Sequence, residues 1–149
     1  MTSVVGGFTY NSNHIDGSRL THDQTRYIFE TNTIGFESGA VNVDDVVETA
    51  NHFRCIDMVI DNAMYPLSET LIKRLHLTLK NGTSDSRKDW FVVGEYKRVP
   101  NEVGGRDTTA PEKVEAEISE LLSAYNTVPK HTLEQIIAFH HDFECIHPF

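Results

Sequence analysis

The 149-residue chain contains no run of about 18 apolar residues, so it offers no candidate membrane-spanning helix. Its N-terminus lacks a basic stretch followed by an apolar one, the pattern of a secretion signal. Cysteine is scarce, with only Cys55 and Cys145 present. Both fall inside amphipathic patterns, so they are expected to be reduced core residues of a cytoplasmic protein rather than a disulfide framework. An excess of cations is missing too. Lys and Arg number 13 against 22 Asp and Glu, a formal net charge of -9. That balance argues against nucleic acid as a partner, since nonspecific binding needs a basic surface. Neither an internal repeat nor a low-complexity tract occurs.

What is present is helical patterning. The hydrophobic fraction of 39% and charged fraction of 23% suit a globular domain with a core. Thr21 and Gln24 stand in capping-box spacing, with Asp23 in the first turn and Tyr27, Ile28 and Phe29 on the apolar side. Asp44 is expected to cap a helix running to about Ala63. Val46, Val47, Ala50, Phe53, Ile56, Ile60 and Met64 recur there at three- and four-residue steps. Ser68 predicts another cap, with Leu71, Ile72, Leu75 and Leu79 on one face and Asn81-Gly82 at the end. Pro111 suits the first turn of a helix carrying Val114, Ile118, Leu121 and Tyr125. Thr132 and Gln135 repeat the capping box. Leu133, Ile136, Ile137, His140, Phe143 and Ile146 follow as the expected buried stripe. At the other end, Met1 to Thr9 shows little periodicity and is expected to be loose. Ser12 is placed to cap a short helix that Gly17 ends.

Residues 83–109 change character. Phe91-Val92-Val93 is a short β-type run, and Pro100-Asn101 and Gly104-Gly105 bring turn chemistry. The expectation is an all-α domain of about five helices with one small hairpin inserted near 91–105.

Chemistry concentrates in Phe143-Glu144-Cys145-Ile146-His147-Pro148-Phe149. Pro148 pushes the residue before it out of the α region, so the helix must stop at His147. A histidine exposed at a helix exit is well placed as a general base, provided it has partners. Taken alone, it equally fits a histidine that merely complements the helix dipole. His140, His141 and His147 do not make a metal site, because residue 141 points away from the other two and no carboxylate completes a ligand set.

Three stretches together closely resemble the Fic (fido) family, over roughly Tyr10 to Phe149. Ile146-His147-Pro148-Phe149 matches the opening of the family signature, which continues Xaa-Asp/Glu-Gly-Asn-Gly-Arg. Gly94-Glu95-Tyr96-Lys97-Arg98-Val99-Pro100-Asn101-Glu102-Val103-Gly104-Gly105 resembles the family's target-docking hairpin, the flap. Thr108-Thr109-Ala110-Pro111 then leads into the next helix, as in many bacterial members. Ser12-Asn13-His14-Ile15-Asp16-Gly17 is similar to the inhibitory motif Ser/Thr-x-x-x-Glu-Gly/Asn, with Asp16 where the family has glutamate.

The resemblance implies one Fic-like domain over 1–149, with an inhibitory helix region at about 10–20 and a helical core over 44–149. It implies an autoinhibited protein adenylyltransferase that moves AMP from ATP to a Ser, Thr or Tyr hydroxyl. His147 would be the general base, since a neutral imidazole accepts a proton near neutral pH. Ile146, Pro148 and Phe149 would frame it, and Ser12, Asp16 and Gly17 would inhibit. Gly94, Tyr96, Lys97, Val103 and Gly104 would dock the target protein or a second copy undergoing self-modification. ATP as substrate and Mg2+ are implied for the complete domain, with no metal ligand inside this chain. The chain is expected to be truncated at Phe149, inside the motif, and therefore to be inactive without the phosphate-binding part. The alternatives are a non-catalytic peptide-binding helical module, or a Fic relative that uses another donor or removes AMP.

Overall fold

The computed structural model of the chain describes residues 2–15, 17–35 and 41–149, with side chains from residue 7 onward. Among them are six helices and one hairpin. The helices are α1 (Thr2–Ile15), α2 (His22–Thr31), α3 (Val43–Asn62), α4 (Glu69–Lys80), α5 (Pro111–Asn126) and α6 (Leu133–Ile146). The strands β1 (Glu102–Val103) and β2 (Arg106–Asp107) lie between α4 and α5. The fold is mainly helical with a small hairpin, as the patterning predicts. None of the described helices is long and apolar enough to cross a membrane. α1, α2 and α3 pack together, α3 packs on α4, α4 touches α5, and α5 packs on α6.

Local signals place most helix starts. Thr21 Oγ1 accepts from the Gln24 N–H at 3.1 Å, and Gln24 Oε1 accepts from the Thr21 N–H at 2.9 Å. Thr132 and Gln135 make the same reciprocal pair at 3.4 and 2.9 Å. Each pair satisfies two amides that a helix leaves orphaned. Ser68 caps α4 through the Leu71 N–H at 3.2 Å. α3 starts earlier than predicted, because Asn42, not Asp44, is its cap. Asp44 instead sits in the first turn and accepts from the Ser84 N–H at 2.9 Å and from the Ser84 hydroxyl. Those hydrogen bonds hold its carboxyl below the usual carboxylate range.

The N-terminal segment is the largest departure. It is helical from Thr2 rather than loose, and Ser12 lies in the last turn of α1 instead of capping a new helix. Among the described side chains, α1 meets α3 through two polar pairs and the Phe8–His52 ring contact at 6.0 Å. Asn13 Nδ2 donates to Thr49 Oγ1 at 2.9 Å, and Thr9 Oγ1 shares a 3.1 Å hydrogen bond with His52 Nδ1. Thr9, Asn13 and Thr49 are all buried. A helix that buries hydroxyls and amides shows no apolar period, so its pattern is silent in the sequence.

The apolar stripe of α3 is half-buried from Val46 to Ile56, with Thr49 on the same face, and it runs out into solvent toward the C-terminal end. Thr49 and Asn51 are buried, whereas Ile60 and Met64 are exposed, Met64 at 91%. Asn51 Nδ2 donates to the carbonyls of Leu79 and Asn81 at 3.0 and 2.9 Å, so α3 closes the C-terminal end of α4.

The core consists of Ile72, Val114, Ile118, Leu122 and Ile146, with Tyr96, Phe139, Phe143 and Phe149 packed against it. On α5, Leu121 packs half-buried against the core as predicted, and Leu122 is buried beside it. On α6 the buried face is Phe139, Phe143 and Ile146, a four- and three-residue step. Leu133, Ile136 and Ile137 are exposed, as are His140 and Cys145. Cys145 is therefore no core residue. Cys55 is half-buried, and burial pushes its thiol up to about 11. α6 is apolar nearly all round, so periodicity alone does not choose its face. The Tyr125 ring does, standing 4.4 Å from Phe139.

The hairpin is shorter than predicted and lies further along. Glu102 pairs with Asp107 and Val103 with Arg106. Gly104 and Gly105 have φ of 59° and 76°, the two positive angles that a type I′ turn requires. Phe91-Val92-Val93 forms no strand; it is coil laid on α4. Gly94 holds it there. At φ 84° it comes so close that a Cβ would meet Leu77 Cβ at 3.0 Å and the Lys73 carbonyl at 3.3 Å.

Tyr96 packs on the core beneath the Lys73 ammonium, which lies 4.3 Å from the ring centroid. Its hydroxyl is buried and reaches no acceptor with hydrogen-bonding geometry. Burial, then the nearby Glu69 charge, pushes the phenol up. Tyr96→Phe keeps the packing and the cation–π contact and removes an unsatisfied group. It should raise the urea midpoint, by about 1 kcal/mol in stability. A lowered midpoint would show that the hydroxyl is stabilising.

Candidate active site

His147 is the C-cap of α6 and has left-handed backbone angles, φ 47° and ψ 68°. Pro148 thus stops the helix here, as the sequence predicts, and the left-handed region that His147 occupies costs an L-residue about 1–2 kcal/mol. The His147 N–H still closes the helix on the Phe143 carbonyl at 3.0 Å. The carbonyls around it find donors on the segment before α5. The Lys97 N–H donates to the Pro148 carbonyl at 2.8 Å, and Lys97 Nζ donates to the Ile146 carbonyl at 3.1 Å. Asn101 Nδ2 donates to the Phe149 carbonyl at 3.2 Å. Lys97 Nζ further binds Asn101 Oδ1 at 2.7 Å and Thr108 Oγ1 at 2.6 Å, and Thr108 also bonds Asn101. Desolvation, partly offset by Glu117, pulls the Lys97 ammonium below its ordinary value.

Phe149 stacks on His76, with centroids 4.0 Å apart and planes 16° from parallel. Phe91 meets the same imidazole edge-on at 5.5 Å. His76 Nδ1 accepts from the Gly94 N–H at 3.0 Å, so that nitrogen carries no proton. Burial, helped by the Lys80 charge and opposed by Asp85, pushes His76 down to about 4.

His147 and Glu144 line a cavity of about 440 Å3 together with Glu48, His76, Lys80 and Asp85. Lys80 Nζ pairs with Glu48 at 2.8 Å and with Asp85 at 3.8 Å. A second cavity, about 270 Å3 and polar, is lined by Asn13, Gly17, Ser18 and Asp44, and Glu48 and Lys80 line it as well. The arrangement offers a base at a cavity of mixed lining, with one cation shared between carboxylates. Among the described residues, no three His, Cys, Asp or Glu side chains stand together as a metal site.

The structure brings some predicted residues together and separates others. Ile146, His147, Pro148 and Phe149 form one loop against Tyr96 and Lys97. Tyr96 and Lys97 point inward, Gly94 is pressed on α4, and Val103 and Gly104 lie exposed on the hairpin. Gly17 has φ 93° and bounds the end of α1, where its N–H meets the His14 carbonyl at 3.2 Å. Asp16 lies outside the described residues. His76, Lys80, Asn101 and Thr108 were not singled out from sequence. They belong to the site through contacts across up to 73 positions, for which no local pattern exists.

The His76 environment has a pH consequence. Its folded value, about 4, lies below the ordinary 6.5, so between these limits the unfolded chain binds the extra proton. The stability it confers is complete above pH 6.5 and is lost as pH falls toward 4. His76→Gln, which keeps an acceptor for Gly94, should flatten that part of a stability–pH profile measured by urea denaturation. Parallel profiles for the two proteins would show that His76 does not titrate in this way.

The sequence profile of the Fic/DOC family matches residues 66–149, more than half of the chain. A Fic domain containing signaling protein from Bacteroides thetaiotaomicron VPI-5482 superposes with a TM-score of 0.83 at 29% identity, over 97% of this chain and 56% of that one. A Fic family protein from Desulfovibrio desulfuricans G20 shares the fold, with a TM-score of 0.70 at 22% identity, over 99% of this chain and 41% of that one. The chain therefore spans about half the length of these solved structures. No curated protein matches it. The His147 loop and the hairpin packed beside it both fall within the matched residues, and the chain belongs to the Fic/DOC family.

Proposed function

We propose that this Fic/DOC member is a protein adenylyltransferase whose general base is His147. The observation that carries the reading is the left-handed turn that sets His147 off α6, at a cavity where Glu48, Lys80, Asp85 and Glu144 share the wall with Leu79, Phe91, Phe143 and Phe149. In the proposed step His147 takes the proton of a target Ser, Thr or Tyr hydroxyl. The oxygen then attacks the α-phosphorus of ATP. The bond from that phosphorus to the oxygen bridging to the β-phosphate breaks, and pyrophosphate leaves. Positioning and charge do most of the work in such a transfer. Lys80, paired with Glu48 and Asp85, lowers the repulsion a triphosphate meets there without cancelling it, since Glu144 lines the same cavity. Magnesium has no ready cluster among the described side chains, and it would accompany ATP on the nucleotide's own phosphates.

The target would dock on the hairpin. Its two strands are exposed, so a peptide can add along an edge by main-chain hydrogen bonds, with Val103 and Gly104 beneath it. Inhibition would come from the Ser12–Gly17 segment, whose Gly17 lines the cavity that Glu48 and Lys80 share.

The test uses the natural gene product with magnesium, target lysate and ATP labelled at the α-phosphate. His147→Ala should lower label incorporation by about 10²- to 10⁴-fold. Equal incorporation by the two proteins would overturn the role of His147, and label transferred only from the γ-phosphate would show a different group transfer. For the inhibitory segment, Asp16→Ala should raise self-modification per folded molecule. Asp16→Glu should lower it, because the added methylene extends the carboxylate's reach. Identical rates for the three proteins would remove the inhibitory assignment.

A further inference from the structure

We infer that Lys97 is a positioning residue for His147, not a contact for a docked target. Only the catalytic consequence of this inference rests on the adenylyltransferase reading. Lys97 grips the chain on both sides of His147, through its ammonium on the Ile146 carbonyl and through its N–H on the Pro148 carbonyl. The first contact fixes the peptide plane before His147, and the second fixes the plane after Pro148. Proline fixes its own φ, so little freedom is left to the residue between them. An ammonium has three protons to donate. Here the three go to Ile146 O, Asn101 Oδ1 and Thr108 Oγ1, at 3.1, 2.7 and 2.6 Å. Lys97 therefore has no donor left to offer a target. Asn101 adds a third hold, on the Phe149 carbonyl.

These bonds offset the cost of the left-handed turn and supply donors to carbonyls at the helix end. Thr108 directly follows β2, so the same cluster ties the exit of the hairpin to the base.

The test reads amide hydrogen exchange by NMR, site by site. In Lys97→Met the His147 and Lys97 amides should exchange at least about tenfold faster, while Val114 and Ile118 in the core keep their protection. Lys97→Arg, which restores charged donors, should recover most of the protection. Thr108→Val removes one acceptor with little change in shape and should give a smaller acceleration at the same amides. It keeps the test decisive should Lys97→Met fail to fold. Unchanged exchange at His147 in either Lys97→Met or Thr108→Val overturns the inference.

In the AMP-transfer assay Lys97→Met should lower kcat with KM for ATP unchanged. A raised KM at constant kcat would make Lys97 a nucleotide contact and also overturn it. Absence of transfer in the unsubstituted protein would sink the adenylyltransferase reading alone, and the exchange data would still decide the role of Lys97.

Discussion

Pro148 imposes the constraint on which the site depends. It has no N–H and denies helical geometry to the residue before it, so α6 must end at His147. The ending leaves carbonyls without intrahelical partners, and a buried carbonyl left unpaired is costly. Lys97 and Asn101 supply the donors. The loop next to them is held down by aromatic stacking of Phe149 on His76, and His76 in turn takes the Gly94 N–H. One stop signal in the sequence therefore organises contacts from α4, the coil laid on it, and the residues on either side of the hairpin.

The N-terminal part of the molecule is joined on different terms. α4, α5 and α6 share a core of branched aliphatic residues, whereas α1 meets α3 through Asn13–Thr49 and Thr9–His52. A hydrogen bond nets only about 0.5–1.5 kcal/mol once water is accounted for. Fully burying a single large aliphatic side chain contributes about 1.5–3 kcal/mol. Among the described side chains, these polar pairs fix the orientation of α1 on α3 more than they add stability. That is suitable physics for a segment proposed to inhibit reversibly.

Much of this was legible in the sequence, and the remainder divides by range. Capping boxes at Thr21 and Thr132 are local, and both form as written. The Ile146–Phe149 segment is local as well: Pro148 accounts for the helix stop, whereas the left-handed turn at His147 is not what a following proline favours. Failures came where tertiary contacts chose among options that the pattern left equal. α1 buries hydroxyls and amides and so shows no period. α6 is apolar on most sides, and Tyr125 selects Phe139 rather than Ile136 for the interior. The run Phe91-Val92-Val93 has strand propensity without a partner strand, and Gly94 fastens the segment to α4 instead. Lys97 read as an exposed flap residue, because a lysine amid turn chemistry ordinarily snorkels to solvent. Its three acceptors lie 4, 11 and 49 positions away.

Charge poses the last physical question, since a chain with net charge -9 must admit a polyanionic nucleotide for the proposed reaction. Glu48 and Asp85 stand on the wall of the His147 cavity, and Lys80 pairs with both, at 2.8 and 3.8 Å. The pairing lowers the repulsion such a cavity exerts without leaving an isolated cation in it. The same cation depresses His76 and so helps keep that imidazole neutral beneath Phe149. Lys80 also lines the cavity reached by Gly17 at the end of α1. A carboxylate arriving there would compete with Glu48 and Asp85 for one ammonium and add its own charge beside the nucleotide space. Lys80 therefore borders both the His147 cavity and the cavity at the end of α1.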